Sequence, residues 1–338
     1  MPKILKYPVV IAALVILGLL LTVVHGCGVE PDRLYAMKLD APPTEGDWEK
    51  ALTLTLSATG GATSLAAEGE VDKDSVHKAT ASCHHGTGAT PVKIRAKAYY
   101  TPERLFLRIS WSDPTEDLGY AWTRSGGRWK AGSPRRDGLG ILWGEPGRDF
   151  SCMRSCHLGD WRKAGGRTFA DYTMAAPEGS VQDLWVWRAG RQAPGGSVED
   201  ANLTPAGRKG DGEGVFETPN STIAAAEGQK SERLFGETDS PARTYGSPPG
   251  DWAPGFLVAA TAPGRLEVEG AATRSDGLWT LTLSRRLMAF EQGDVPFRPG
   301  GEYHFGLAIL DGVDRDHNAV GKAVGLKLIE PNKYAVGE

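Results

Sequence analysis

At 338 residues, 40% of them hydrophobic and 24% charged, the chain is globular and long enough for one large β domain or two ordinary ones. A formal net charge of -4 and a pI near 6.0 leave no basic footprint, which excludes nucleic acid as the expected partner. Forty-four glycines and twenty-two prolines against 8% aromatics argue for many strands and turns and against a helical bundle.

In chain order, Lys3 and Lys6 precede an apolar run from Val9 to Val24, broken by Gly18 and Thr22, with no acidic residue before Glu30. This predicts an N-terminal apolar helix over 1–26, a signal peptide or membrane anchor whose basic end stays in the cytoplasm. The remainder is then exported, and the expected location is the periplasmic or extracytoplasmic face of a membrane. "VHGC", ending at Cys27, resembles a lipoprotein cleavage box, although His25 stands where a small residue is usual. The tether is therefore read as either a retained helix or a lipid on Cys27.

Residues 27–46 read as a polar linker running into "APPTEGDW". "ALTLTLS" (51–57) alternates as a half-buried strand does, and "VKIRAKAYY" (92–100) and "RLFLRISW" (104–111) form a hairpin about the turn "TPE". Leu105, Leu107, Ile109 and Trp111 are expected inside, with Arg108 and Ser110 outside. "LGILW" (139–143) fits a buried strand. From 144 to 255 no period is sustained, and a stretch this long is read as a loop-rich functional insertion. Strands resume in "LEVEGAATR", "LWTLTLSRRL", "YHFGLAILD" and "VGLKLIE". The fold class expected is all-β, an antiparallel β-sandwich over 47–338 with the insertion at 144–255.

At the start of that insertion, "SCMRSCHLGDW" packs Cys152, Cys156 and His157 together in a chain with four cysteines. Two thiols followed by an imidazole suit covalent haem attachment, the thiols adding to the vinyl groups and the histidine ligating iron. The usual gap is two residues; here it is three, Met153, Arg154 and Ser155. A local disulfide between Cys152 and Cys156 is the competing reading in an exported chain. Zinc would call for a second paired cluster, and the other cysteine-histidine group is Cys83-His84-His85. A thiol nucleophile lacks a neighbouring base.

The motifs "GDWEKALTLTL", "RISWSDPTED", "DGLGILWG", "SCMRSCHLGDW", "DLWVWRAGRQAP", "GRKGDGEG", "LWTLTLSRRL" and "FGLAILDGVDRDH" occur in this order over nearly the whole chain after residue 46. Together they resemble the haem-binding gamma-type subunits of the ethylbenzene dehydrogenase family, relatives of which serve molybdenum enzymes of the dimethyl sulfoxide reductase group, and above all its c-type branch. The resemblance implies a β-sandwich with one haem between loops at one end: haem c on Cys152 and Cys156, or haem b if the thiols are unused. His157 is then one axial ligand. His317 in "VDRDHNAVGK" is expected as the second, with Met174, Lys322 and His84 as alternatives. Trp161, Trp185 and Trp187 are expected against the porphyrin, and Arg188, Arg191 or Arg208 on its propionates.

Two protein ligands leave no open iron position, so the function expected is a membrane-tethered c-type cytochrome, not an enzyme, passing single electrons to a redox partner or membrane oxidoreductase complex. The rival reading starts from "VKIRAKAYYTPERLFLRISWSDPTED", which also looks like the strands of exported carbohydrate-binding β-sandwiches. There Cys152 and Cys156 form a disulfide, no haem is bound, and the tryptophans make a sugar-stacking platform.

Overall fold

The computed structural model describes residues 33–59, 92–144, 156–164, 167–174, 176, 178–191, 197–210, 215–220, 250–260, 267–289, 293–312 and 317–330. The described elements are β1 (Arg33–Lys38), α1 (Glu45–Lys50), β2 (Leu54–Thr59), β3 (Val92–Tyr100), β4 (Arg104–Ser112), β5 (Trp122–Ser125), β6 (Arg128–Ala131), β7 (Gly138–Gly144), β8 (Cys156–Ala164), β9 (Arg167–Met174) and β10 (Gln182–Arg188). There follow β11 (Ser197–Thr204), β12 (Gly207–Gly210), β13 (Val215–Pro219), β14 (Trp252–Ala253), β15 (Phe256–Ala260), β16 (Glu269–Ser275), β17 (Leu278–Arg286), β18 (Glu302–Leu310), β19 (Asn318–Val320) and β20 (Val324–Ile329).

Thirteen strands join in one sheet along the path β12-β11-β10-β7-β18-β19-β2-β3-β4-β17-β16, with β1 on β3 and β20, and β20 on β18. The hairpin β3–β4 forms about Thr101-Pro102-Glu103, as its period-two pattern predicts. Leu105, Leu107, Ile109 and Trp111 are all buried, and Arg108 and Ser110 lie on the other face. The sheet turns back on itself, so that β10 faces β4 and β17 across a common core. Trp187 meets Trp111 edge-on at 5.8 Å and Trp279 at 5.2 Å, and the latter two stack at 6.3 Å on neighbouring strands. At the closure, a β-carbon on Gly270 of β16 would stand 2.3 Å from Val198 Cγ2 on β11, so the crossing admits only glycine.

The all-β expectation stands, with three corrections in detail. The linker expected at 27–46 contains β1 and the start of α1. Thr44 and Asp47 form a capping box, the Asp47 carboxylate accepting from Thr44 N at 2.8 Å, and Trp48 packs edge-on to Tyr99 at 5.3 Å. Arg108 then lies 4.6 Å over the Trp48 ring and grips Glu45 with both guanidinium arms. Because β1 pairs parallel to β3, the sheet is mixed and not purely antiparallel. The stretch 144–255 holds β8 to β14, and β10, β11 and β12 are strands of the main sheet. The period was hidden because all seven residues of β10 are buried, so its apolar and polar residues do not alternate.

The apolar run Val9 to Val24 and Cys27 lie outside the described residues. Among those described, no helix is long and apolar enough to cross a membrane.

Trp187 joins both halves of the core, so Trp187→Ala should lower unfolding free energy by about 3–5 kcal/mol, read as a drop in urea midpoint at unchanged slope. A change below about 1 kcal/mol would mean that the two sheets do not meet through this ring.

Candidate functional site

Strand pleat assigns each residue of β10 to one of two layers. Asp183, Trp185 and Trp187 point into the core. Gln182, Leu184, Val186 and Arg188 point to the outer face, and the register continues that face through Leu203, Ala201 and Glu199 of β11. On the other side it continues through Gly138, Gly140 and Leu142 of β7, then Leu310, Ala308 and Gly306 of β18, and Ala319 of β19.

This outer face is itself buried. Leu142, Leu184, Val186 and Leu203 form a second apolar cluster with Ala176, and Ala323 packs against it. In its middle the floor is open. Gly140, between Val186 and Ala308, is partly exposed, and among the described residues no atom would lie within 4 Å of a β-carbon there. The result is a shallow trough with walls of small and aliphatic residues. At one end Arg188 lays its aliphatic stem over Gly138, with Cδ 2.8 Å from where a β-carbon would be. Beside it Arg191, wholly buried, donates to Val186 O at 3.0 Å and to Glu199 Oε2 at 3.1 Å. Gln182 sits at the far end, buried, with Oε1 lacking a hydrogen-bond partner.

Of the residues expected in a site, Arg188 pairs with Gly138, which pairs with Leu310, and His317 is buried one residue ahead of β19, whose register on β18 begins with Asn318 opposite Ile309. Lys322 is exposed in the turn after β19. Trp185 and Trp187 are fully buried on the inner face, where Trp185 packs on Trp143 at 5.0 Å. Both indoles are buried in the core. Cys156 and His157 open β8, with Cys156 opposite Met174 and His157 opposite Thr173 in the β8–β9 register. Their side chains, with those of Met174, Trp161 and Arg208, lie outside what is described, as do Cys152, Cys83 and His84.

Titratable groups gather at the two ends of the core, and sequence reasoning passed over both sets. At one end Arg285 is buried against Asp294 at 2.6 Å and Asp183 at 3.3 Å. Burial alone would lower its pKa, but the facing Asp183, Asp294 and Asp200 carry it above the ordinary value. At the other end Asp113, Asp137 and Asp311 come from "WSD", "DG" and "LDG", each at the inward position next to a strand end. That parity was the available signal. Burial first, then the charge of Asp113 against backbone donation from Asp117, pushes Asp137 up to about 7; burial also raises Asp113.

The ethylbenzene dehydrogenase family model matches residues 45–319. The chain belongs to the ethylbenzene dehydrogenase family. No curated protein matches this family member. Among solved structures it is similar to a family 9 carbohydrate binding module from Caldicellulosiruptor kristjanssonii in complex with cellotriose, at 8% identity and a TM-score of 0.35, over 90% of this chain and 98% of that one. The same organism's module in complex with glucose aligns at 7% identity and a TM-score of 0.34, over 90% of this chain and 100% of that one. The expected membrane-tethered, electron-transferring c-type cytochrome is corrected to what the comparisons support, which is family membership and an all-β fold. A likeness of this size carries no argument for a sugar ligand, which has to rest on the trough.

The folded protein holds protons on the Asp113–Asp137 pair that the unfolded chain, with Asp near 3.8, has released. Their contribution to stability is therefore full below about pH 4 and lost as pH rises to about 7. Urea midpoints measured in chelator should fall across this window, and Asp137→Asn should flatten the fall. Midpoints that rise instead would reverse the sign assigned to this pair.

Proposed function

We propose that this family member is an exported, non-catalytic binding module that holds a ring-shaped ligand, a carbohydrate in first place, in the trough above Gly140. The observation that carries this is the open floor at Gly140 in a face whose surrounding residues are all buried. A pyranose ring offers an apolar C–H face and a polar edge. Here the floor and walls are Gly140, Val186, Ala308 and Leu142, and the polar groups are Gln182, Glu199, Arg188 and His317. Few polar groups around an apolar floor is the composition of a binding cleft.

The non-catalytic part of the reading has its own support. Glycoside hydrolysis calls for two carboxylates flanking the bond. Beside the trough, among the described residues, the register places Glu199, and Arg191 already holds it.

Haem, the cofactor the family resemblance implies, is the second reading, favoured by one observation: Arg188 covers Gly138 at one end of the trough, and His317 is buried just ahead of β19, whose Ala319 continues the same face. The small-residue floor fits a flat macrocycle, Arg188 fits a propionate and His317 an iron ligand. Cys156 and His157 on β8 would be the residues of attachment. When bound, such a group supplies iron redox chemistry.

The experiment uses the full chain from a host competent in haem attachment. Glucose and cello-oligosaccharides are titrated calorimetrically, and a pyridine haemochrome spectrum is taken on the same sample. The variant is Gly140→Met, whose β-carbon meets no described atom within 4 Å and whose longer side chain would occupy the trough. Sugar binding that the variant weakens by about tenfold or more would support the carbohydrate reading. Stoichiometric haem without sugar binding would transfer the trough to haem, and neither ligand would sink both.

A further inference from the structure

We propose that Asp113, Asp137 and Asp311 bind a divalent cation, calcium by preference, that plugs one end of the sandwich core. One carboxylate oxygen from each lies within 4.8 Å of the other two. That fits the roughly 4.6–5.2 Å that two oxygens on one calcium can span at ligand distances of about 2.3–2.6 Å. An all-oxygen, all-carboxylate set suits a hard cation rather than zinc or copper.

Two observations separate this group from an ordinary acidic patch. Asp113 is 1% exposed, yet its Oδ2 has no hydrogen-bond partner, a costly state for a buried carboxylate oxygen. Its other oxygen is engaged, accepting from Thr115 N at 2.9 Å and Thr115 Oγ1 at 3.2 Å. The second observation is the contrast with the far end of the core. There Asp183, Asp200 and Asp294 form an equally tight set, and the buried guanidinium of Arg285 lies among them. At the Asp113 end, two arginines among the described residues have other partners. Arg274 donates to the backbone oxygen of Asp113 at 2.8 Å, and the exposed Arg135 faces Asp117 at 3.8 Å.

The surroundings hold the carboxylates in place. Asp137 Oδ1 accepts from Gly312 N at 2.9 Å; its Oδ2 accepts from Asp117 N at 2.9 Å and from the Trp279 indole N–H at 3.1 Å. Oδ1, with a single donor, keeps a lone pair for a metal, while the two donors on Oδ2 hold the carboxylate in place. Bound there, the cation would tie the ends of β4, β7 and β18 together and replace the protons the acids otherwise keep. Since the unfolded chain has no such site, binding stabilises the fold by mass action.

The test uses the full chain stripped with EDTA, and the probes are calcium and terbium ions alone. Trp279, bonded to Asp137, should sensitise terbium emission under excitation near 280 nm. Calcium should raise the thermal midpoint and quench that emission by competition. Asp113→Asn and Asp311→Asn keep the side-chain shape and should each weaken calcium by at least about tenfold; Asp137 is left intact because Trp279 depends on it. A wild-type midpoint indifferent to millimolar calcium, with no sensitised emission, overturns the site whether or not the variants fold. Calcium stabilisation undiminished in both variants also overturns it, by placing the cation elsewhere.

Discussion

Strand β10 is covered on both faces, and this constraint organises the rest of the molecule. Its inward side chains, Trp185 and Trp187, are the rings through which one half of the folded-over sheet grips the other. The outward ones, Leu184 and Val186, begin a second apolar layer. A strand so placed has no solvent face on which to put polar residues. Its ends supply them instead: Gln182 and Asp183 at one, Arg188 at the other. The trough follows directly, because the strand beside β10 carries glycine at 138 and 140 where a side chain would close the outer layer.

The same layering sorts the charges. Inside the core a carboxylate is tolerated only with a partner, a proton or a metal. The β10 side of the core uses a partner, Arg285, shared among acids from separate segments of the chain. At the end where β4, β7 and β18 converge, three aspartates bring their carboxylates together, and burial raises Asp137 toward the protonated form. Between the two ends the interior is aromatic and aliphatic, so these groups define where the core stops.

For function, the consequence is a separation of roles. The inner layer, with its buried tryptophans, is structural, and the residues with open space before them lie on the outer face. Membership of the ethylbenzene dehydrogenase family and the all-β architecture are compatible with different occupants of that face, because fold alone does not choose a ligand. What chooses is the chemistry at the trough: a glycine floor, aliphatic walls, and Arg188 at one end.

The amino-acid sequence by itself determined the family, the all-β class and the longest strands with one wet face. "VKIRAKAYY", "RLFLRISW" and "LWTLTLSRRL" alternate because one side of each meets water, and they fall on β3, β4 and β17. The capping box at Thr44 and Asp47 was equally legible, being local, but lay inside what read as linker. Tertiary structure alone decided the rest. β10 lost its period because burial on both faces removes the polar half of the pattern, and its Trp185 and Trp187 lie within the core. Gly140 shows nothing in sequence until Val186 and Ala308 are set on either side of it. Likewise Asp113, Asp137 and Asp311, up to 198 residues apart along the chain (311 − 113), form a group only when three strands end at the same place.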